Sequence, residues 1–349
     1  MRHTFSTLTK ELIKISKSYI PAGYRSNLNV FETQVAIGEI KRIFIANLSA
    51  ALNLKRVSAP LFVDPTTGLN DDLSGVERAV TFDIKETGNI VAVVQSLAKW
   101  KRMALHNYKF SDGVGLYADM NAIRRDEELD NTHSVYVDQW DWEKIILCEN
   151  RNIEYLYDTI NSIVGAMCDT LDEIKTQFPQ ITTELERNVH FITAQELEDK
   201  YPNLSGKERE DAIAKEYKTV FISQIGGVLK SGEKHDGRAP DYDDWSLNGD
   251  IIFWNPVLER ALELSSMGIR VDAKAMDSQL AIANCDDRRE LPFHKMVLND
   301  ELPLTMGGGI GQSRLCMLFL GKAHVGEVQS SVWDDKTMSV CDDAGVVLL

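Results

Sequence analysis

From Met306 to Leu315 the chain reads Met-Gly-Gly-Gly-Ile-Gly-Gln-Ser-Arg-Leu, with four glycines in the five positions Gly307 to Gly311. A stretch without Cβ atoms lets backbone or a flat ligand come close, and the helix that should follow carries Arg314 on its first turn. The stretch is not a dinucleotide fingerprint, because Gln312 takes the place of the last glycine in a GxGxxG frame begun at Gly307, and no Walker A lysine follows. Taken alone, these residues leave two readings open: a ligand floor, or a strand packed tightly on a helix with no ligand.

The rest of the chain must supply a sheet and a core for that strand. With 349 residues, 44% hydrophobic and 26% charged, it has the material for one large α/β domain with excursions. The formal charge of −15, from 38 basic and 53 acidic side chains, sets the average surface against polyanions, so no nucleic-acid partner is expected. The odd set of cysteines, Cys148, Cys168, Cys285, Cys316 and Cys341, contains no CxxC clip and reads as free thiols in a reducing compartment, the cytoplasm. No apolar run approaches the roughly 18 residues of a membrane span, so a soluble protein with no membrane partner is expected. Residues 1–30 form an N-terminal extension, with an amphipathic helix predicted at Leu8 to Tyr19, and 31–349 a single catalytic domain.

Periodicity predicts a helix from Thr33 to Leu54 and a strand from Val57 to Val63 that Pro60 confines to an edge or an interface. Gly68 to Gly75 reads as a turn-rich acidic loop, Ile90 to Val94 as a short buried strand and Leu97 to Leu105 as a helix. Strict alternation from Val135 to Glu143 predicts a strand with Gln139, Asp141 and Glu143 on one face and Trp140 and Trp142 on the other, a polar face unusual for a core. A long helix follows from Asn150 to Phe178. Gln195 to Lys218 reads as helical cover with solvated charges, Val220 to Ile225 and Asp250 to Trp254 as strands, and the segment ending at Arg270 as helix or strand.

Chemistry concentrates in several places. Arg124-Arg125-Asp126-Glu127 precedes the alternating strand, and a guanidinium there matches two phosphate oxygens at once, unless it merely pairs with Asp126 or Glu127. Asp241, Asp243, Asp244 and Asp250, with Glu263, Ser265, Ser266 and Arg270, suit Mg²⁺ against a triphosphate or a substrate ammonium; for Asp241 to Asp244 a solvated acidic loop is the plainer account. Ser96 to Arg102 puts Lys99, Lys101 and Arg102 at the start of a helix, where the dipole disfavours cations and a nearby anion would relieve them; an exposed basic face is the duller alternative. The histidines show no zinc spacing.

Together these pieces resemble the three ordered signatures of class II aminoacyl-tRNA synthetases: a helix and strand ending near Pro60, the arginine hairpin from Arg124 to Glu143, and the glycine strand with Arg314. The blocks Asp72 to Gly75, Ser96 to Arg102, His133 to Glu143, Arg238 to Trp245 and Gly307 to Leu315 are similar to the ammonia-dependent asparagine synthetase family over roughly Thr33 to the C-terminus. The resemblance implies an α/β (α+β) fold, a mixed, largely antiparallel sheet flanked by helices, and a homodimer joined near Pro60. It implies a ligase that joins L-aspartate and ammonia, splitting ATP to AMP and pyrophosphate through a β-aspartyl adenylate with Mg²⁺. By the same resemblance, Arg124 grips the α-phosphate, and Arg314 covers the adenine or reaches the terminal phosphate. Asp250 and Glu263 face Mg²⁺ or the nucleotide, with Ser266 beside them. Asp71, Gln139 and Asp243 surround the aspartate ammonium, joined by Asp141. Arg270 pairs with a substrate carboxylate, Ser96 and Lys101 line the site, and Asp71 is the candidate base for ammonium. Arg125, where bacterial relatives carry proline, and Asp72, in place of asparagine, depart from the family pattern. A tRNA synthetase would add a basic surface and an anticodon-binding domain, and a silent relative would have no reason to keep both nucleotide arginines.

Overall fold

The computed structural model describes residues 17–71, 73 and 77–349; the helix expected from Leu8 falls almost wholly outside them, as do Asp72, Ser74 and Gly75. In chain order the elements are α1 (Val30–Leu52), β1 (Leu54–Arg56), β2 (Phe62–Val63), β3 (Thr81–Asp83), β4 (Ile90–Val93), α2 (Ala98–Asn107), β5 (Gly115–Ile123), β6 (Tyr136–Ile145) and α3 (Ile153–Gln177). There follow β7 (His190–Thr193), α4 (Ala194–Lys200), α5 (Gly206–Tyr217), β8 (Thr219–Ser223), β9 (Asp243–Asn255), β10 (Arg260–Arg270), α6 (Ala273–Ile282), α7 (Pro292–Leu298), β11 (Thr305–Gly311), α8 (Gln312–Phe319) and α9 (Asp335–Asp343).

Eight strands form one sheet in the order β1-β5-β6-β11-β10-β9-β8-β7, antiparallel except for the parallel pairs β1 with β5 and β7 with β8 at its two ends. This is the mixed, largely antiparallel sheet that the resemblance implies. β2, β4 and β3 make a second, small sheet. The single strand expected from Val57 to Val63 is instead split. β1 runs beside β5, β2 pairs with β4, and the chain between them, with Pro60, leaves one sheet for the other. A residue without an N–H cannot continue a ladder, so the break falls there.

Alternation along the strands gives the large sheet two unlike faces. Trp140 and Trp142 of β6, Phe221 of β8, Ile251 and Phe253 of β9 and Met267 of β10 pack against the stripes of α1, α3 and α8 in the main core. α1 begins at Val30 because Asn29 and Glu32 form a capping box, and it ends at Asn53 in a left-handed conformation. The opposite face is covered only at its ends. At one end α2 and the small sheet sit on Ala118, Met120 and Ala122 of β5; at the other, α4 and α5 sit on Val220, Ile222 and Ile252. Gln195 to Lys218 is thus cover, as expected, but broken into two helices around Pro202. Between the two covers a cleft remains, and polar side chains of the sheet converge beneath and beside it.

The residues before α1 dock on the C-terminal part of the chain. Ser18 Oγ lies 3.2 Å from His324 Nε2, while His324 Nδ1 accepts from the Gly326 N–H at 3.0 Å. Burial pushes this imidazole down from 6.5 to about 4, against the weaker pull of Asp130 and Asp334. The unfolded chain binds its proton near pH 6.5, whereas the folded one resists until about 4. The stability this histidine contributes is therefore whole above 6.5 and lost as pH falls through 4, on the order of 3 kcal/mol. Urea midpoints measured across that window should fall with pH, and His324→Gln should flatten the fall; identical slopes would disprove the assignment. Among the described residues no helix is long and apolar enough to cross a membrane.

Candidate active site

The register across β6, β11 and β10 builds the floor. Gln139, Asp141 and Glu143 lie directly opposite Gly311, Gly309 and Gly307, and Gly309 lies opposite Ser266. Cross-strand partners share a face, so the polar residues of β6 meet a strip of bare backbone. A Cβ on Gly309 would come within 2.5 Å of Gln139 Oε1, and one on Gly307 would overlap Glu143 Oε2 and lie 2.6 Å from Arg270 Nη2. The glycines therefore let side chains of the flanking strands reach across β11. The glycine-rich stretch is a floor for polar groups as well as a seat for α8.

Arg270 is the centre of that crossing. Its Nε donates to both Glu143 oxygens at 3.0 and 3.1 Å, Nη2 to Glu143 Oε2 at 2.7 Å, and Nη1 to Asp243. Thr305 Oγ1 holds Glu143 from the other side at 2.7 Å. Burial works to raise the Glu143 carboxyl, but Arg270, Lys101 and Thr305 more than offset this and hold it below its usual value. Beside this cluster Lys101 Nζ donates to Asp141 Oδ1 at 2.6 Å and to Gly308 O at 3.0 Å. Burial lowers its pKa.

Above the floor is a cleft of about 480 Å³. Of the residues singled out in the sequence, Arg124, Gln139, Glu263, Ser266 and Arg314 line it. Arg314 Nη1 donates to Glu263 O at 3.1 Å and its Nε to Thr132 O at 3.3 Å. Burial raises the Glu263 carboxyl, yet Arg314, Arg238, Lys207 and His133 outweigh that and keep its pKa low. Asp126 pairs with Arg78, so it does not occupy Arg124, whose buried Nε has no partner among the described residues. Asp250 pairs with Arg238 through one oxygen; its Oδ1 is buried without a partner among the described residues, and burial lifts the carboxyl to about 7 despite Arg238. Asp71 is 4% exposed and its charge is felt by Tyr242, a cleft residue. Burial raises the Tyr242 phenol well above its usual value, with Asp71 and Asp243 adding to the effect. Ser96 lies off the cleft lining and its Oγ accepts from the Ala98 N–H at 3.1 Å, opening α2.

Local reading misjudged two groups. The acidic loop from Asp241 to Asp244 is not solvated: Asp241 accepts from Lys99 Nζ, Arg288 Nη1 and His294 Nε2 at 3.0, 2.9 and 2.9 Å, Asp243 from Arg270, and Asp244 from Arg151 at 2.5 Å. The basic start of α2 is not an exposed face, since Lys99, Lys101 and Arg102 are buried and each has found an anion or a carbonyl. One pair, Lys99 with Asp241, joins the two groups across segments some 140 residues apart, a partnership that no local pattern reports. Arg238, Tyr242, Lys207 and His133 were not picked out for the cleft.

The sheet order, the arginine hairpin and the glycine strand with Arg314 define the class: this is the catalytic fold of class II aminoacyl-tRNA synthetases. Asparaginyl-tRNA synthetases from Entamoeba histolytica and Pyrococcus horikoshii, both complexed with asparaginyl-adenylate, superpose with TM-scores of 0.59 and 0.60. They are 11% and 15% identical, over 86% and 85% of this chain and 66% and 68% of theirs, a likeness of fold alone. Within that class the sequence is specific. A family model described as aspartate-ammonia ligase matches residues 31–345. Proteins called aspartate–ammonia ligase from Clostridium perfringens and Clostridium tetani are 57% and 59% identical, over 96% and 95% of this chain and 100% and 97% of their own lengths. The chain belongs to the aspartate–ammonia ligase family, and its chemistry is ATP-using amide synthesis in asparagine biosynthesis. At 96% coverage the similarity also reaches further toward the N-terminus than Thr33.

Proposed function

We propose that the cleft joins L-aspartate to ammonia in two steps, with a β-aspartyl adenylate between them and AMP and pyrophosphate as co-products. One observation carries this: guanidinium groups (Arg124, Arg314) and acceptors or carboxylates (Gln139, Glu263) line one cleft, with Asp71 at its Tyr242 wall. Aspartate and a triphosphate repel one another, so the first step needs cations where charge develops. Arg124, with its unpartnered Nε, grips the α-phosphate. Arg314 covers the base or meets the terminal phosphate, and Ser266 lies beside it. Arg270, held by Glu143 and Asp243, keeps its remaining N–H groups for a substrate carboxylate. Asp71, Gln139 and Oδ2 of Asp141, which has no partner among the described residues, receive the substrate ammonium. Asp243 acts with them mainly by aiming Arg270, while Lys101 and Ser96 support the wall.

Mg²⁺ suits this donor set in one way only. Among the described residues no group of three or more metal-ligating side chains exists, but Asp250 keeps a buried bare oxygen next to Glu263. Two hard oxygen donors fit an ion that takes its other ligands from phosphates and water. Asp250 and Glu263 would hold it, and its charge would offset that of the triphosphate.

The working unit is proposed as a cytoplasmic homodimer, with 31–349 as one catalytic domain behind the 1–30 extension. Leu61, Phe62, Phe82 and Ile90 near Pro60, and Phe31 on α1 at 76% exposure, leave apolar surface for a second copy. Purified protein given aspartate, ATP, Mg²⁺ and ammonium should make asparagine with AMP and pyrophosphate, and should elute at twice 39.3 kDa. Release of ADP and phosphate would refute the adenylate, and a monomeric mass the dimer.

A further inference from the structure

The adenylate reading leaves the pyrophosphate end of ATP with few cations. Forming the adenylate makes a bond from an aspartate β-carboxylate oxygen to the α-phosphorus and breaks the bond from that phosphorus to the α–β bridging oxygen. The electron pair stays on the leaving pyrophosphate, whose charge grows in the transition state. A cation placed there lowers the barrier.

Resting on that reading, we propose that Lys207, on the first turn of α5, contacts the β- and γ-phosphates of ATP and the departing pyrophosphate. The segment Gln195 to Lys218 reads in sequence as cover with solvated charges, but Lys207 lines the same cleft as Arg124, Arg314 and Ser266. The turn that carries it is fixed. Lys207 Nζ donates to Glu210 at 3.0 and 3.2 Å, and Glu210 Oε1 lies 3.3 Å from His235 Nε2. A Cβ on Gly206 would come within 2.8 Å of His235 O, so α5 sits hard against the loop that brings Asp236 and Arg238 to the cleft.

The other cations on that side are tied to neighbours as Lys207 is to Glu210, but they are more enclosed. Arg238 is tied to Asp250, His133 Nδ1 to Asp130 at 2.8 Å, and Arg314 to the carbonyls of Thr132 and Glu263. Their side chains are 10%, 36% and 24% exposed, against 66% for Lys207. Burial works against the Lys207 charge, but Glu210, Glu263 and Asp236 outweigh it and raise the pKa, so the ammonium persists at any working pH. A point charge on a flexible stem can follow a leaving group that moves.

The test uses the full-length enzyme with Lys207→Met and Lys207→Arg in aspartate-dependent ATP–pyrophosphate exchange. Loss of one charged contact should raise KM for pyrophosphate about tenfold in K207M, with KM for ATP moving the same way. KM for aspartate and for ammonium should stay within about twofold, as expected for a contact confined to the phosphates, and K207R should recover most of the loss. An unchanged KM for pyrophosphate in K207M, or an equal rise in every KM, overturns the proposal. Exchange that is absent from the unmodified enzyme would instead defeat the adenylate reading, and this contact with it.

Discussion

Asp71→Asn is expected to abolish the second half of the reaction while sparing the first. Aspartate-dependent ATP–pyrophosphate exchange should show a raised KM for aspartate, whose ammonium Asp71 also receives, but keep its rate at saturating aspartate within a few-fold of the parent enzyme, whereas ammonia-dependent release of asparagine should fall by about 10³-fold, the usual scale for a lost general base. Ammonium is the abundant form near neutrality and has no lone pair to offer. Something must take its proton in a place poor in water. Asp71 is 4% exposed, and after burial its charge is the next cause that raises the Tyr242 phenol, ahead of that of Asp243. The asparagine keeps the shape and removes the basicity, so a folding defect would show in the exchange reaction as well. Equal, unimpaired rates in both steps would remove Asp71 from the mechanism.

The second large effect is structural and should come from Gly307→Ala. The added methyl would overlap Glu143 Oε2 and lie 2.6 Å from both Arg270 Nη2 and the Trp142 carbonyl oxygen. A free flexible side chain would swing away from such a collision, but this carboxylate is locked by Arg270 and by Thr305 at 2.7 Å, and a backbone carbonyl in a central strand cannot move alone. Either the ion pair breaks in a buried place or β6 and β11 part. We expect a loss of about 3–4 kcal/mol in chemical denaturation, and a large rise in KM for aspartate as Arg270 turns out of line. Gly311→Ala is the control, because its nearest neighbours are carbons of Arg314 at 3.4 Å or more, and it should cost under about 1 kcal/mol. Stability of Gly307→Ala matching that of Gly311→Ala would show that the floor is less tightly built than the register indicates.

Much of the architecture was legible because it is written in short periods. The alternation from Val135 to Glu143 placed β6 within two residues of its observed ends and correctly assigned its two faces. The stripe from Leu156 to Leu171 marked α3. Arg124 and Arg314 were recognisable because each sits in a local signature. What local reading missed was partnership. Asp241 looked like part of a solvated acidic loop and Lys99 like a basic surface, yet each is the other's reason for being buried. Glu143 looked like one more polar residue on a strand, although it aims Arg270 from across a strand of glycines. Lys207 looked like a solvated charge, because nothing in a helical period says which exposed side chain overhangs a cleft.

By itself, then, the sequence determined the elements, the polar face of β6, the bare strand opposite and the family to which these belong. Side-chain period and the presence or absence of a Cβ are properties of neighbouring residues. Only the tertiary structure decided which charges neutralise one another and which are left for ligands. That division depends on distances between residues far apart in the chain. It also depends on the removal of water, which makes an unpaired charge costly inside and nearly free outside.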